Sequence, residues 1–172
     1  MPVTLHLGER PQDSDGGGPL ADARKVTSDA PNRWITIANK GQRMIFYVAV
    51  GSAAGGVARY LLSSFVQQRV GAGFPLGTLL VNVTGSFLLG LFWRYALGSQ
   101  TITPEVRLLL TTGFCGGYTT FSTFSYETVV LLEDGEWPRA ATYVILSVVL
   151  SLVGVWLGFL AARELLAARM HG

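Results

Sequence analysis

The chain has 172 residues, 49% hydrophobic and only 14% charged, with a formal net charge of +2 and a mean hydropathy of +0.39. One cysteine, Cys115, and two histidines in opposite tails, His6 and His171, leave no His/Cys metal cluster, disulfide, Cys-His pair or Ser-His-Asp triad to assemble. Walker A and dinucleotide fingerprints are absent and no basic stripe suits nucleic acid, so the distribution is that of a membrane protein and not of an enzyme.

Residues 1–43 include "GERPQDSDGGGPLADARKVTSDAPNR", rich in Gly, Pro, Asp, Ser and Arg and without an apolar helical face. The segment is expected to be a disordered polar tail, and it is not a secretory signal, because no apolar core follows a short basic start. From there to residue 166 the sequence offers four apolar spans, judged against the roughly 20 residues needed to cross about 30 Å of hydrocarbon. They run over about 44–66, 74–97, 104–132 and 137–166, leaving 167–172 as a short C-terminal tail. Short loops make consecutive spans antiparallel neighbours in one bundle.

Small residues recur along these spans: Gly51 and Gly55 at a G-x-x-x-G spacing, then Gly85 and Gly90. They allow close helix approach, either within one chain or between copies, and four short spans bury little surface alone, so a dimer or larger assembly is expected.

Uncharged polarity appears at helical spacing. Thr78, Asn82 and Ser86 form one stripe in the second span; Tyr143, Ser147 and Ser151 form another in the fourth. A polar group left alone in hydrocarbon costs on the order of a few kcal/mol, so each stripe is either interhelical adhesive or the wall of a pathway. Arg59 is the charge deep in the first span, and carboxylates are missing from the middles of the first, second and fourth, with Glu127 toward the end of the third. A pathway of this composition suits a small anion rather than a cation.

The third span is too long. Its about 29 residues would reach roughly 43 Å as one helix, and "CGGYTT" interrupts it. Gly116 and Gly117 permit unusual dihedrals, so two half-helices joined by non-helical backbone are expected, with a simple kink repaired by neighbours as the alternative. Hydroxyls at Thr119, Thr120, Ser122 and Thr123 are placed to satisfy the freed amides or to face the pathway. Phe121 and Phe124, three apart, share a helical face; they are either core or lipid-facing, or present ring edges to a dehydrated anion.

The string "TTGFCGGYTTFSTFSYE", with "GGVARY" in the first span and "PLGTLLVNVTGSFLLG" in the second, resembles the Fluc (CrcB) family of fluoride ion channels. The resemblance covers about residues 44–165 in order and spacing. It implies an all-α membrane protein with the third of four transmembrane helices broken in mid-membrane, assembled as an antiparallel, dual-topology-like dimer in the plasma (inner) membrane. The implied function is passive, fluoride-selective efflux. The implied pathway comprises Asn82, Phe121, Phe124, Tyr143, Ser147 and Ser151, with Thr123 among the neighbouring hydroxyls. Backbone carbonyls of Gly116 and Thr119 are implied to coordinate a structural Na+ shared between subunits, and Arg59 to serve an electrostatic or structural duty. The long N-terminal tail and Tyr118 in the break motif depart from the family pattern. The rival readings are a small multidrug/proton exporter, which wants an embedded acid where this chain has Arg59, and a non-transporting membrane assembly protein.

Charge is distributed unevenly about the spans: Arg33, Lys40, Arg43, Arg94, Arg107, Arg163 and Arg169 flank one side, Arg69 and Arg139 the other. The positive-inside rule places both termini in the cytoplasm. The partner is then a second copy in antiparallel orientation or, given this bias, an oppositely oriented relative. A compartment-sensitive reporter fused to the C-terminus is expected to read mainly cytoplasmic; equal populations on the two sides would remove the orientation bias.

Overall fold

The computed structural model describes residues 19–71 and 73–171, with the side chains of 39–71 and 73–169. In chain order they form α1 (Pro19–Val70), α2 (Leu76–Gly98), α3 (Pro104–Leu108), a π-helical segment (Leu109–Cys115), α4 (Gly116–Tyr118), α5 (Phe121–Glu133) and α6 (Trp137–His171). There is no strand among the described residues. The chain divides into two compact units, Met1–Lys40 and Gly41–Gly172, and every site discussed below belongs to the second.

Helix α1 begins at Pro19, so residues 19–43, expected to be part of a disordered tail, are helical; residues 1–18 lie outside the described residues. Proline is tolerated in a first turn, and Leu20, Ala21, Ala23, Arg24 and Lys25 favour helix locally. The stretches Asn39–Val70, Leu76–Gly98 and Trp137–Arg169 are long and apolar enough to cross a membrane, with mean hydropathies of 1.4, 1.6 and 2.5. Their outward faces agree: Leu152 and Trp156 on α6 are exposed, as lipid contact requires and water would penalise. The protein is a multi-pass membrane protein.

Local signals set the helix ends. Gly71, at φ 85°, closes α1 with its amide donating to Gln67 O at 2.9 Å, and Gly135, at φ 76°, closes α5. There the amides of Glu136 and Gly135 donate to Leu131 O and Leu132 O at 2.8 and 3.1 Å, the paired bonds of a Schellman motif, which needs a left-handed residue at this point. Helix α3 opens with Thr103 Oγ1 accepting from Val106 N and Pro104 in the first turn.

Small residues then bring the rods together. Helices α2 and α6 run parallel: a Cβ on Gly90 would collide with Val155 O, and one on Gly158 with Phe87 O. Gly51 and Gly55 admit the backbone of Leu109 and Phe114, and Gly85 admits Tyr118 and Thr119. All four of the small residues noted from sequence are thus occupied within one chain, which removes them as an argument for a contact between copies.

Between α4 and α5 the helical run is interrupted. Thr119 (φ −76°, ψ 155°) and Thr120 (φ −148°, ψ 117°) are extended, a region open to any residue and favoured by β-branched ones. Gly116 and Gly117, expected to supply the dihedrals, do not: Gly116 is right-handed helical (φ −66°, ψ −36°), and positive φ among the described glycines occurs at Gly71 and Gly135. Gly117 supplies room instead, since a Cβ there would stand 2.5 Å from Ser52 O. The extended pair is held from α2, where Asn82 Nδ2 donates to Thr120 O at 3.1 Å and Thr120 N donates to Asn82 Oδ1 at 2.8 Å. Thr120 Oγ1 caps α5 by accepting from Thr123 N at 3.2 Å. Replacing Asn82 by Ala leaves one amide and one carbonyl unmet, and thermal unfolding in detergent is expected to show a loss of about 1–3 kcal/mol per unmet group; an unchanged midpoint would mean that Asn82 does not hold the interruption.

Candidate ion pathway

Most of the residues singled out from the sequence line two cavities that share Thr120, while Tyr143 and Gly116 line neither. The first has a volume of about 380 Å3 and brings together Asn82, Ser86, Phe121, Phe124, Ser147 and Ser151, beside Thr119 and Thr120. Its lining carries no charged side chain. The second, about 270 Å3, holds Arg59 and Thr123 with Tyr60, Ser63 and Thr78.

In the first cavity the polar groups differ in what they have left to offer. Ser147 is buried, and its Oγ has no hydrogen-bond partner. A hydroxyl carries one donor and two acceptor sites, so this one brings an available O–H to the cavity. One N–H of Asn82 goes to Thr120 O; a primary amide has a second. Tyr143 is fully buried behind the aromatic wall, its ring 5.2 Å from that of Phe124 and 5.6 Å from that of Phe74. The Phe121 and Phe124 rings lie 5.6 Å apart at 43°, and Phe121 is 79% exposed.

From the sequence Glu127 stood only as a carboxylate toward the end of the third span, with no part in the site. Its carboxylate accepts Tyr143 Oη at 2.6 Å and Thr78 Oγ1 at 2.8 Å, and it borders a third cavity, of about 430 Å3, with Gln67 and Asp134. Two O–H donors on one carboxylate are charge-assisted and hold the charge where it is. They also engage the hydroxyls of both polar stripes at one end, so Tyr143 meets the first cavity through its ring neighbour Phe124 and its O–H points elsewhere. The usable signal was spacing: Thr123 and Glu127 are four apart on α5, which puts the acid one turn beyond the hydroxyl cluster.

The carbonyls of Gly116 and Thr119 are among those whose helical donors are diverted by the interruption. The amide of Thr120, four residues after Gly116, donates to Asn82 Oδ1; that of Thr123, four after Thr119, donates to Thr120 Oγ1. Thr119 O accepts instead from Arg59 Nη1 at 3.4 Å. These are hard oxygen donors of the kind alkali and alkaline-earth cations take, and the donor chemistry fits Na+. No group of three or more His, Cys, Asp or Glu side chains is placed to hold a metal among the described residues. Tyr118, the unexpected aromatic in the break motif, is buried with its ring stacked 5.7 Å from Phe114 and its hydroxyl 3.0 Å from Thr84 Oγ1. Its polar tip is therefore satisfied.

Residues 46–159 match the family model described as CrcB-like protein, Camphor Resistance (CrcB). A curated protein named Fluoride-specific ion channel FluC, from Geobacter sulfurreducens, is 55% identical over 121 residues, covering 70% of this chain and 98% of that relative. Its counterparts of the same name from Geobacter metallireducens and Geotalea uraniireducens are 53% and 48% identical over 121 residues, with the same coverage. The matched stretch contains the interruption, both hydroxyl stripes and Arg59, and the chain belongs to the CrcB family.

Proposed function

We propose that this chain is a fluoride-selective ion channel that lowers cytoplasmic fluoride by passive efflux across the plasma membrane. The relatives' printed name supplies the ion, and one observation supports the route: the unpartnered Ser147 Oγ in an uncharged cavity walled by Phe121 and Phe124. Fluoride is small and holds its water strongly, so a route must replace hydration with donors while avoiding a fixed positive charge that would trap the ion. Ser147, Ser151, Ser86 and the second N–H of Asn82 are such donors. The rings contribute positive edges. Glu127, clasped by Tyr143 and Thr78, keeps its negative charge out of the lining of that cavity.

In this reading residues 104–133 cross as a fourth span, interrupted at Thr119–Thr120, and two copies, or this chain and an oppositely oriented relative, assemble antiparallel. The exposure of Phe121 beside that cavity favours a second subunit covering it. Gly116 O and Thr119 O would hold Na+ at that seam. When bound, the ion supplies a positive charge that compensates the diverted carbonyls of both subunits. Thr119 O retains a lone pair for it beside the Arg59 bond. Arg59 itself, acting on the same carbonyl, holds the end of α4 in place and is not a ligand of the permeating ion.

Vesicles reconstituted with the full chain are expected to release fluoride but retain chloride, at a rate that an imposed proton gradient leaves unchanged. Chloride release, or dependence on protons, would sink the reading. Ser147→Ala should reduce fluoride flux roughly tenfold, the loss of one donor to a charged group. Its thermal midpoint should hold or rise, because the hydroxyl makes no bond within the chain. Replacing Na+ with N-methylglucamine is expected to shift detergent-solubilised protein from dimer toward monomer by light scattering; an unchanged dimer would argue against a structural Na+.

A further inference from the structure

Far from the interruption, the C-terminal turns of α2 and α6 enclose a cavity of about 570 Å3 lined by Arg94, Arg163 and Arg169, with Thr101, Gln100 and Leu166 among its other walls. The two helices are pressed together there, since a Cβ on Gly98 would collide with Leu166. Arg169 Nη1 is tethered by donating to Tyr95 Oη and Thr101 Oγ1, both at 3.4 Å. The lining contains no Asp or Glu, and the salt bridge formed among the described residues, Arg139–Glu136, involves none of these arginines.

Three guanidinium groups around one cavity repel one another, and bringing them together is favourable when a polyoxygen anion sits between them. Planar guanidinium forks match phosphate oxygens in pairs. The position narrows the class of anion. The apolar spans end at Gly98 and Arg169, so the arginines stand at the headgroup level. Immediately toward the membrane, Leu89 and Trp93 on α2 and Phe159 and Leu160 on α6 are exposed, offering an apolar surface for acyl chains directly below the charges. A choline group would find no carboxylate in this lining. Basic pockets between helix ends on the cytoplasmic side suit anionic headgroups, and this is the arginine-rich side of the chain.

We propose that this cavity binds the phosphodiester headgroup of an anionic phospholipid, with Arg94, Arg163 and Arg169 as its phosphate ligands. The full chain in neutral detergent is titrated with cardiolipin, with phosphatidylcholine and with inorganic phosphate, and the thermal midpoint is recorded. Cardiolipin is expected to raise it by a few degrees, the other two to leave it unmoved, and R163Q/R169Q to abolish the rise. An equal rise with inorganic phosphate would overturn the lipid assignment in favour of a soluble anion. An equal rise with phosphatidylcholine would overturn charge recognition. A rise retained in the variant would place the lipid elsewhere. Should the double variant fail to fold, R163Q alone carries the test, because Arg163 forms no ion pair among the described residues; its expected result is the same loss of response with an unshifted midpoint in detergent alone.

Discussion

The primary amide of Asn82 is bonded in both directions to Thr120, and the rest of the site depends on that pair. An extended dipeptide between two helices strands backbone groups that each cost several kcal/mol where water cannot reach them. An amide is the one uncharged side chain that offers a strong donor and a strong acceptor side by side, so it can stand in for a neighbouring strand. Thr120 contributes the complementary half, its Oγ1 capping the helix that restarts at Phe121. With the dipeptide fixed, Phe121, Phe124 and the Gly116 and Thr119 carbonyls all have set positions.

A second economy lies in the stripe Thr78, Asn82, Ser86. Identical spacing gives these residues one helical face, yet the three do different work: Thr78 restrains the Glu127 carboxylate, Asn82 holds the extended backbone, and Ser86 borders the cavity. The same division appears on α6, where Tyr143 is bound to Glu127 while Ser147 is left without a partner. In a medium of low dielectric an unmet hydroxyl is costly, and two full sets of bonds a turn away offset that cost. The contrast between satisfied and unsatisfied members of a stripe is what the proposed route rests on.

Close packing supplies the rigidity. The parallel contact of α2 with α6 places Gly90 and Gly158 against backbone carbonyls, so the two stripes cannot slide past one another without a backbone collision. Glycine here acts through its missing Cβ. The interruption itself is carried by two threonines with ordinary dihedrals.

The sequence by itself determined the solvent and the chemistry on offer. Hydropathy is a property of composition, hydroxyl stripes follow from a fixed helical period, and Arg59, Asn82, Phe121 and Phe124 carried a family pattern in their spacing. What the sequence left undecided is which partner each polar group takes, because that depends on residues dozens of positions apart. Asn82 could be read as a donor to an ion; only the folded chain brings Thr120 within 3.1 Å of it. Glu127 looked peripheral until Tyr143 and Thr78 closed on it from two other helices. Gly117 advertised conformational freedom, but its neighbour Ser52 lies on a helix about sixty residues earlier, and the tertiary contact decided that it serves as space. Local pattern fixes which groups are buried, and long-range packing fixes which of them remain unpaired.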